Sequence, residues 1–177
     1  MTIHFRRLTE AVYFVCNKAA ANPERLDQIK LNKVLWYSDA SAYLRRGESI
    51  TGENYIKKPF GPVARRNRQA VVQLEAAGVL RRGRAASGSG HWNTLFDMTG
   101  EFEITLLSED DRETISRVYH SIVDRRVTSM DISERTHGEI WQLAEKDEEL
   151  PLFTVFAEKL GEVTDDHMER AREGIQC

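Results

Sequence analysis

The chain holds 177 residues, with 25 Lys and Arg against 28 Asp and Glu, a net charge of −3, 41% apolar residues and 2 Cys. That length suits one compact domain, and the composition excludes collagen, a disulfide-stapled secreted module and a coiled-coil rod. Cys16 and Cys177 stand at opposite ends without CxxC spacing, so neither a disulfide framework nor a zinc site is expected, and a reducing, cytoplasmic setting fits.

In chain order, Leu8, Val12, Val15 and Ala19 recur at helical spacing and predict a first helix over residues 6–21, stopped at Asn22-Pro23. A second helix is predicted from about Leu26 to Arg46, broadly apolar apart from Lys33, with Gly47 just past its end. Residues 48–60 read as irregular or weakly extended. Phe60-Gly61-Pro62-Val63 then reads as the start of a third helix running to Ala77, because proline suits the first helical position. Val79–Arg82 and Trp92–Phe96 bracket a Gly/Ser-rich stretch and predict a hairpin. A short strand is expected at Phe102–Ile104. Ser108 reads as an N-cap, with Glu109, Asp110 and Asp111 in the first turn of a helix that carries Ile115, Val118, Tyr119 and Ile122 to about Arg126. A further helix should follow Ser133, a shorter one Pro151, and an acidic, helical end should occupy residues 163–174. The expected fold is mainly α: a compact bundle of six to seven helices with one small β-hairpin.

The near-neutral total hides a polarised chain. Residues 57–84 carry 8 basic groups against Glu75 alone, whereas residues 101–177 carry 9 basic and 20 acidic groups. Such asymmetry points to partners rather than to fold. The apolar run at residues 11–16 is too short for a signal-peptide core, and nothing approaches the roughly 20 apolar residues of a membrane span.

No dinucleotide loop, P-loop, GxSxG or HExxH motif is present. The five histidines are scattered without metal-ligand spacing, Asp165-Asp166-His167 reads as an exposed polar turn, and Cys16 lies on an apolar helix face as a core thiol. The chain is therefore not expected to be an enzyme, and no cofactor or metal is expected. The basic centre offers a nucleic-acid reading. Arg65, Arg66 and Arg68 on the third helix, with Arg81, Arg82 and Arg84 entering the hairpin, resemble in outline a recognition helix and wing. The helix that should precede a recognition helix is missing, since residues 48–60 carry no helical pattern.

More specific are the local residue choices. Lys30-Leu31-Asn32-Lys33-Val34-Leu35-Trp36-Tyr37-Ser38-Asp39, then Gly47 and the Ile50-Thr51-Gly52 turn, then Phe60-Gly61-Pro62-Val63, and later Ser133-Glu134-Arg135-Thr136-His137 with Trp141 four residues on, resemble the Panacea domain of SocA-like antitoxins and phage-associated proteins. The resemblance covers roughly residues 8–145, the motif-bearing core of a single domain over 1–177 with an acidic helical extension at 146–177. Val34, Trp36 and Phe60 stand where the family more often has Leu, Tyr and Tyr.

The resemblance implies a protein-binding scaffold that neutralises a cognate protein toxin, by direct binding or by presenting it to a protease. It points to Lys30, Leu31, Lys33, Trp36, Tyr37, Asp39, Phe60, Gly61, Pro62, Thr136, His137 and Trp141 as the motif or partner-binding positions. From the residues alone, Trp36-Tyr37 read as core aromatics, Phe60-Gly61-Pro62 as backbone chemistry at a helix start, and His137 with Trp141 as a packed pair one turn apart. The acidic C-terminal third favours a basic partner surface. The alternative is a winged-helix-like transcriptional regulator, with DNA as partner; a homodimer is compatible with either.

Overall fold

The structure is a computed structural model that describes residues 2–86, 92–134 and 139–154. α1 (Ile3–Lys18) starts at Thr2, whose hydroxyl accepts from the Phe5 amide. After a single 3-10 turn at Pro23–Arg25, α2 (Gln28–Arg46) starts at Asp27, whose carboxylate accepts from the Lys30 amide. Both caps satisfy amides that the first helical turn leaves without partners. α2 ends at Gly47, whose φ of 78° is left-handed and costs little only for glycine. Leu31, Val34, Leu35, Trp36, Ala40 and Ala42 are buried around its circumference, which makes α2 the central helix.

Beyond α2 the chain departs from the expected bundle. The described residues contain five strands in two antiparallel sheets, which overturns the mainly helical reading with a single hairpin. β1 (Tyr55–Lys58) and β2 (Gly61–Ala64) form a tight hairpin, so Gly61-Pro62-Val63 is a strand and not the start of a helix. The sheet tolerates Pro62 for a definite reason. Lys57, which it faces, directs its own N–H and C=O away toward residues 148 and 147, so the pair is a non-hydrogen-bonded one. Proline's missing donor therefore points outward from an edge strand, where it leaves no ladder bond unmade.

α3 (Asn67–Ala76) begins five residues later than Pro62 suggests. β3 (Leu80–Ala86) and β4 (Trp92–Met98) form the expected hairpin, paired from Leu80↔Met98 to Ala86↔Trp92. The strand expected at Phe102–Ile104 is absent; that stretch has no regular secondary structure up to Ser108. α4 (Glu109–Tyr119) opens with a full capping box, the Ser108 hydroxyl accepting from the Asp111 amide and the Asp111 carboxylate from the Ser108 amide. It passes into a π-helical turn at His120–Asp124.

α5 (Ser129–Glu134) and α6 (Glu139–Leu143) are short, and β5 (Glu149–Leu150) pairs with β1 through Tyr55↔Leu150 and Ile56↔Glu149. The three-stranded sheet thus runs β2-β1-β5. The core joins α1, α2, α3 and α4 with the inner faces of both hairpins, through Leu8, Val12, Leu35, Tyr55, Leu74, Phe96 and Ile115. No described helix is long and apolar enough to cross a membrane. The helical end expected at residues 163–174, and most of the helix expected after Pro151, lie outside the described residues.

Candidate partner-binding site

Lys33, Trp36 and Asp39 succeed one another at three-residue intervals and so share one face of α2. All three reach the β1–β2 hairpin and the turn before it. Lys33 is fully buried, and its ammonium donates to the carbonyl of Phe60. Burial lowers its pKa to about 7, since an apolar surround penalises the charged form. One turn on, the Trp36 ring meets Tyr55 edge-on, 4.9 Å between centroids at 73°.

At the far end of that face, Asp39 is fully buried and accepts four hydrogen bonds: Ile50 N–H and Thr51 N–H at 2.9 Å each, Thr51 Oγ1 at 2.5 Å and Tyr55 OH at 2.8 Å. Burial raises the Asp39 pKa, and these four bonds pull against it. The Tyr55 phenol is pushed well above its usual value, first by burial and then by the Asp39 carboxylate beside it. Tyr55 thereby joins the two upper latches, packing on Trp36 and bonding Asp39.

This arrangement fixes the backbone of a turn whose tip faces solvent. Phe60 is 53% exposed although its carbonyl is held from inside, and Gly61 follows with φ at 100°, a conformation that the turn requires and other residues resist. Pro62 is buried behind it. On the same hairpin, Lys57 lies over the Trp141 ring, 4.3 Å from its centroid, and donates to the carbonyls of Gln142 and Ala144. Lys58 pairs with Asp147. α6 is thus tied to β1, and beside those carbonyls Leu143 stands 85% exposed.

The remaining motif residues divide. Lys30 donates to the Arg25 carbonyl, 3.1 Å away, and helps to pin the chain leading into α2; Leu31 lies in the core. Tyr37 is half-buried on the opposite side of α2, at a cleft facing α4. Thr136 and His137 lie outside the described residues, and with them the expected packing of His137 on Trp141.

Most of the arginines offered for DNA are engaged within the fold. Arg65 pairs with Glu149 at 3.6 Å, and Arg81 with Asp97 at 3.5 Å. Arg66 pairs with Glu53 at 2.7 Å and stacks over Phe5. Arg82 grips Glu75 at 2.6 Å, and its backbone N–H donates to the same carboxylate. Arg68 and Arg84 are exposed and form no ion pair among the described residues. The element before α3 is β2, so α3 is not the second helix of a helix-turn-helix.

Sequence reasoning passed over Glu10. It is fully buried on α1 and accepts from Thr105 Oγ1, the amides of Leu106 and Leu107, and Arg6 Nε, which fastens the coil before α4 to α1. Its one sequence signal is Arg6, a cation one turn earlier. A second clamp joins the end of α2 to the start of α4: Arg45 holds Asp110 through two bonds of 2.7 Å, and Arg46 reaches Asp110 and Asp111. Among the described residues, no cluster of three or more His, Cys, Asp or Glu is arranged to hold a metal ion.

A family model described as the antitoxin SocA-like Panacea domain matches residues 31–142, more than half of the chain, from α2 through α6. The match takes in Lys33, Trp36, Asp39, Phe60, Gly61, Pro62 and Trp141. Searches of curated proteins and of solved structures give no match.

Proposed function

The chain belongs to the SocA-like antitoxin family of Panacea domains, and on that premise we propose that it neutralises a cognate protein toxin by binding it directly, with the β1–β2 turn in the contact surface. The observation that carries this reading is the disposition of Phe60: an aromatic side chain half in solvent on a backbone clamped by a buried lysine. Burying an ammonium is expensive, and what it secures here is the geometry of an exposed ring. Large aromatics held rigidly are the residues that contribute most at protein interfaces, because little conformational entropy is lost when the partner arrives.

Binding is the step common to occluding a toxin and to delivering it to a protease. Measuring the toxin's half-life in cells with and without this protein separates the two outcomes. The internal pairing of four of the six candidate arginines weighs toward a protein partner over DNA.

The test is to express the adjacent open reading frame with and without this gene. Toxicity relieved by the wild type, co-purification of the two products, and loss of both with Phe60→Ala at unchanged thermal stability is the expected pattern. Normal growth on expressing the neighbour alone would refute the reading.

A further inference from the structure

On the far side of α2 from the hairpin lies a cleft of about 570 Å³ between α2, α4, the π-helical turn and α5, within the range of small-ligand pockets. Its floor is apolar: Tyr37 from α2, Val118 and Ile122 from α4 and its extension, and Ile132 from α5. Its rim carries two guanidiniums, Arg45 and Arg117, which converge on the Thr114 hydroxyl at 3.0 and 3.3 Å. Ser41 and Ser121 add hydroxyls at the mouth.

The two arginines are not equivalent. Arg45 is already neutralised by its two-pronged contact with Asp110. Arg117 is exposed and, among the described residues, its side chain bonds only an uncharged acceptor, with no carboxylate in ion-pair reach. A guanidinium at the edge of an apolar floor is suited to one carboxylate, which it can grip through two parallel bonds.

A polyanion fits poorly, because Glu113, which acts on Arg45 and forms no ion pair among the described residues, stands beside the same rim and would repel a row of phosphates. The backbone supplies an independent sign. Ser121 and Ile122 reach the cleft from the π-helical turn His120–Asp124, and such turns are rare and frequently found at functional sites.

We propose that this cleft is a binding site for an amphipathic, carboxylate-bearing segment of a partner protein, with an aliphatic side chain on the Tyr37–Ile122–Ile132 floor and a Glu or Asp on Arg117. The site deepens the toxin-binding reading and rests on it only for the identity of the partner; the chemistry of the cleft stands apart from it. It also sets a local requirement opposite to the charge of the C-terminal third: the partner is acidic here, whatever its charge elsewhere.

The experiment titrates the full chain with a synthetic helical peptide that repeats Leu and Glu at three- and four-residue spacing, and with its Gln and Lys analogues, followed by isothermal calorimetry. The Glu peptide should bind at least tenfold more tightly than the Gln peptide. Ser41→Trp, which fills the cleft, should abolish binding. Arg117→Glu should lose the Glu peptide and gain the Lys peptide, a swap that mere structural damage cannot produce. Equal affinity for the Glu and Gln peptides, no binding at millimolar peptide, or binding undiminished by Ser41→Trp would each overturn the assignment. Capture of the neighbouring gene product separates the two readings. If wild type, Ser41→Trp and Arg117→Glu all bind that product alike, the cleft assignment fails while the toxin reading stands. If the product is not bound while the peptide swap holds, the toxin reading fails and the cleft assignment stands.

Discussion

Removal of Asp39 should be far more damaging than removal of its charge. Asp39→Ala leaves two buried amides, Ile50 and Thr51, and the hydroxyls of Thr51 and Tyr55 without the acceptor they share. An unsatisfied buried donor costs about 1–3 kcal/mol, so the two amides, which cannot turn away, account for roughly 2–6 kcal/mol by themselves. Relief from holding an ionised carboxylate inside the core offsets part of this, and a net loss of about 4 kcal/mol is expected.

Asp39→Asn is a different perturbation. Its carbonyl oxygen can keep both amides, its NH₂ faces hydroxyls that can rotate to accept, and no charge is buried, so it should lie within about 1 kcal/mol of wild type. Burial raises the folded-state pKa of Asp39. Its favourable contribution is therefore full below the unfolded value near 3.8 and lost as pH rises through the folded value, so the Asn variant should gain on wild type with rising pH. Urea unfolding followed by tryptophan fluorescence and far-UV dichroism measures both. In thermal melts the Ala variant should drop by roughly 8–16 °C, taking about 2–4 °C per kcal/mol for a chain of this size. If the Ala and Asn variants unfold together, Asp39 is not the acceptor that organises the turn.

The other latches give further expectations. Lys33 has a folded pKa of about 7 against 10.5 unfolded, so stability associated with it is full above 10.5 and falls as pH drops through 7. Wild type should accordingly gain about 2 kcal/mol relative to Lys33→Met between pH 7 and pH 9, at about 1.4 kcal/mol per pKa unit, read from paired urea titrations; parallel curves would refute it. Burial pushes the Glu10 pKa up, but bonds from the Leu106 amide, Arg6 and Thr105 outweigh it and leave it lowered. Glu10→Gln should then be less stable than wild type at pH 7, with the difference vanishing as pH falls well below 4.5, again by urea unfolding. Promoter binding in gel shifts should be absent at physiological salt. A wild-type shift that loses about two units of salt slope in Arg68→Ala/Arg84→Ala would instead favour the DNA reading.

Local signals were legible where the residue that makes a structure sits beside it. The Ser108 capping box, Gly47 past the end of α2 and the β3–β4 hairpin depend on contacts only a few residues apart. Of the three-stranded sheet, only the β1–β5 half depends on pairing across some ninety residues, Tyr55 with Leu150, and β5 is two residues long, too short for any periodicity to register. Phe60-Gly61-Pro62-Val63 misleads for a related reason. A proline that can open a helix can equally stand on an edge strand, and what decides is that Lys57 turns its bonds toward residues 147 and 148, a fact absent from the local sequence.

The candidate site follows the same logic. Its residue types were visible, but their roles were not, because each role is a long-range contact. Lys33 reads as an exception in an apolar stripe until its partner 27 residues away is known, and the Trp36–Tyr37 pair splits, one ring turned to the hairpin and the other to a cleft. Charge misleads most. The −11 of residues 101–177 suggests one broad field, yet Asp110, Asp111, Asp147 and Glu149 are bonded to Arg45, Arg46, Lys58 and Arg65. Acids already paired attract a partner weakly, since their field is cancelled within a few ångströms and screened beyond about 8–10 Å. On the proposed reading, partner choice falls to charges that the fold leaves over, and Arg117 at the edge of an apolar floor is one of these. A scaffold whose motif residues are spent on internal latches can keep its fold while such leftover positions vary.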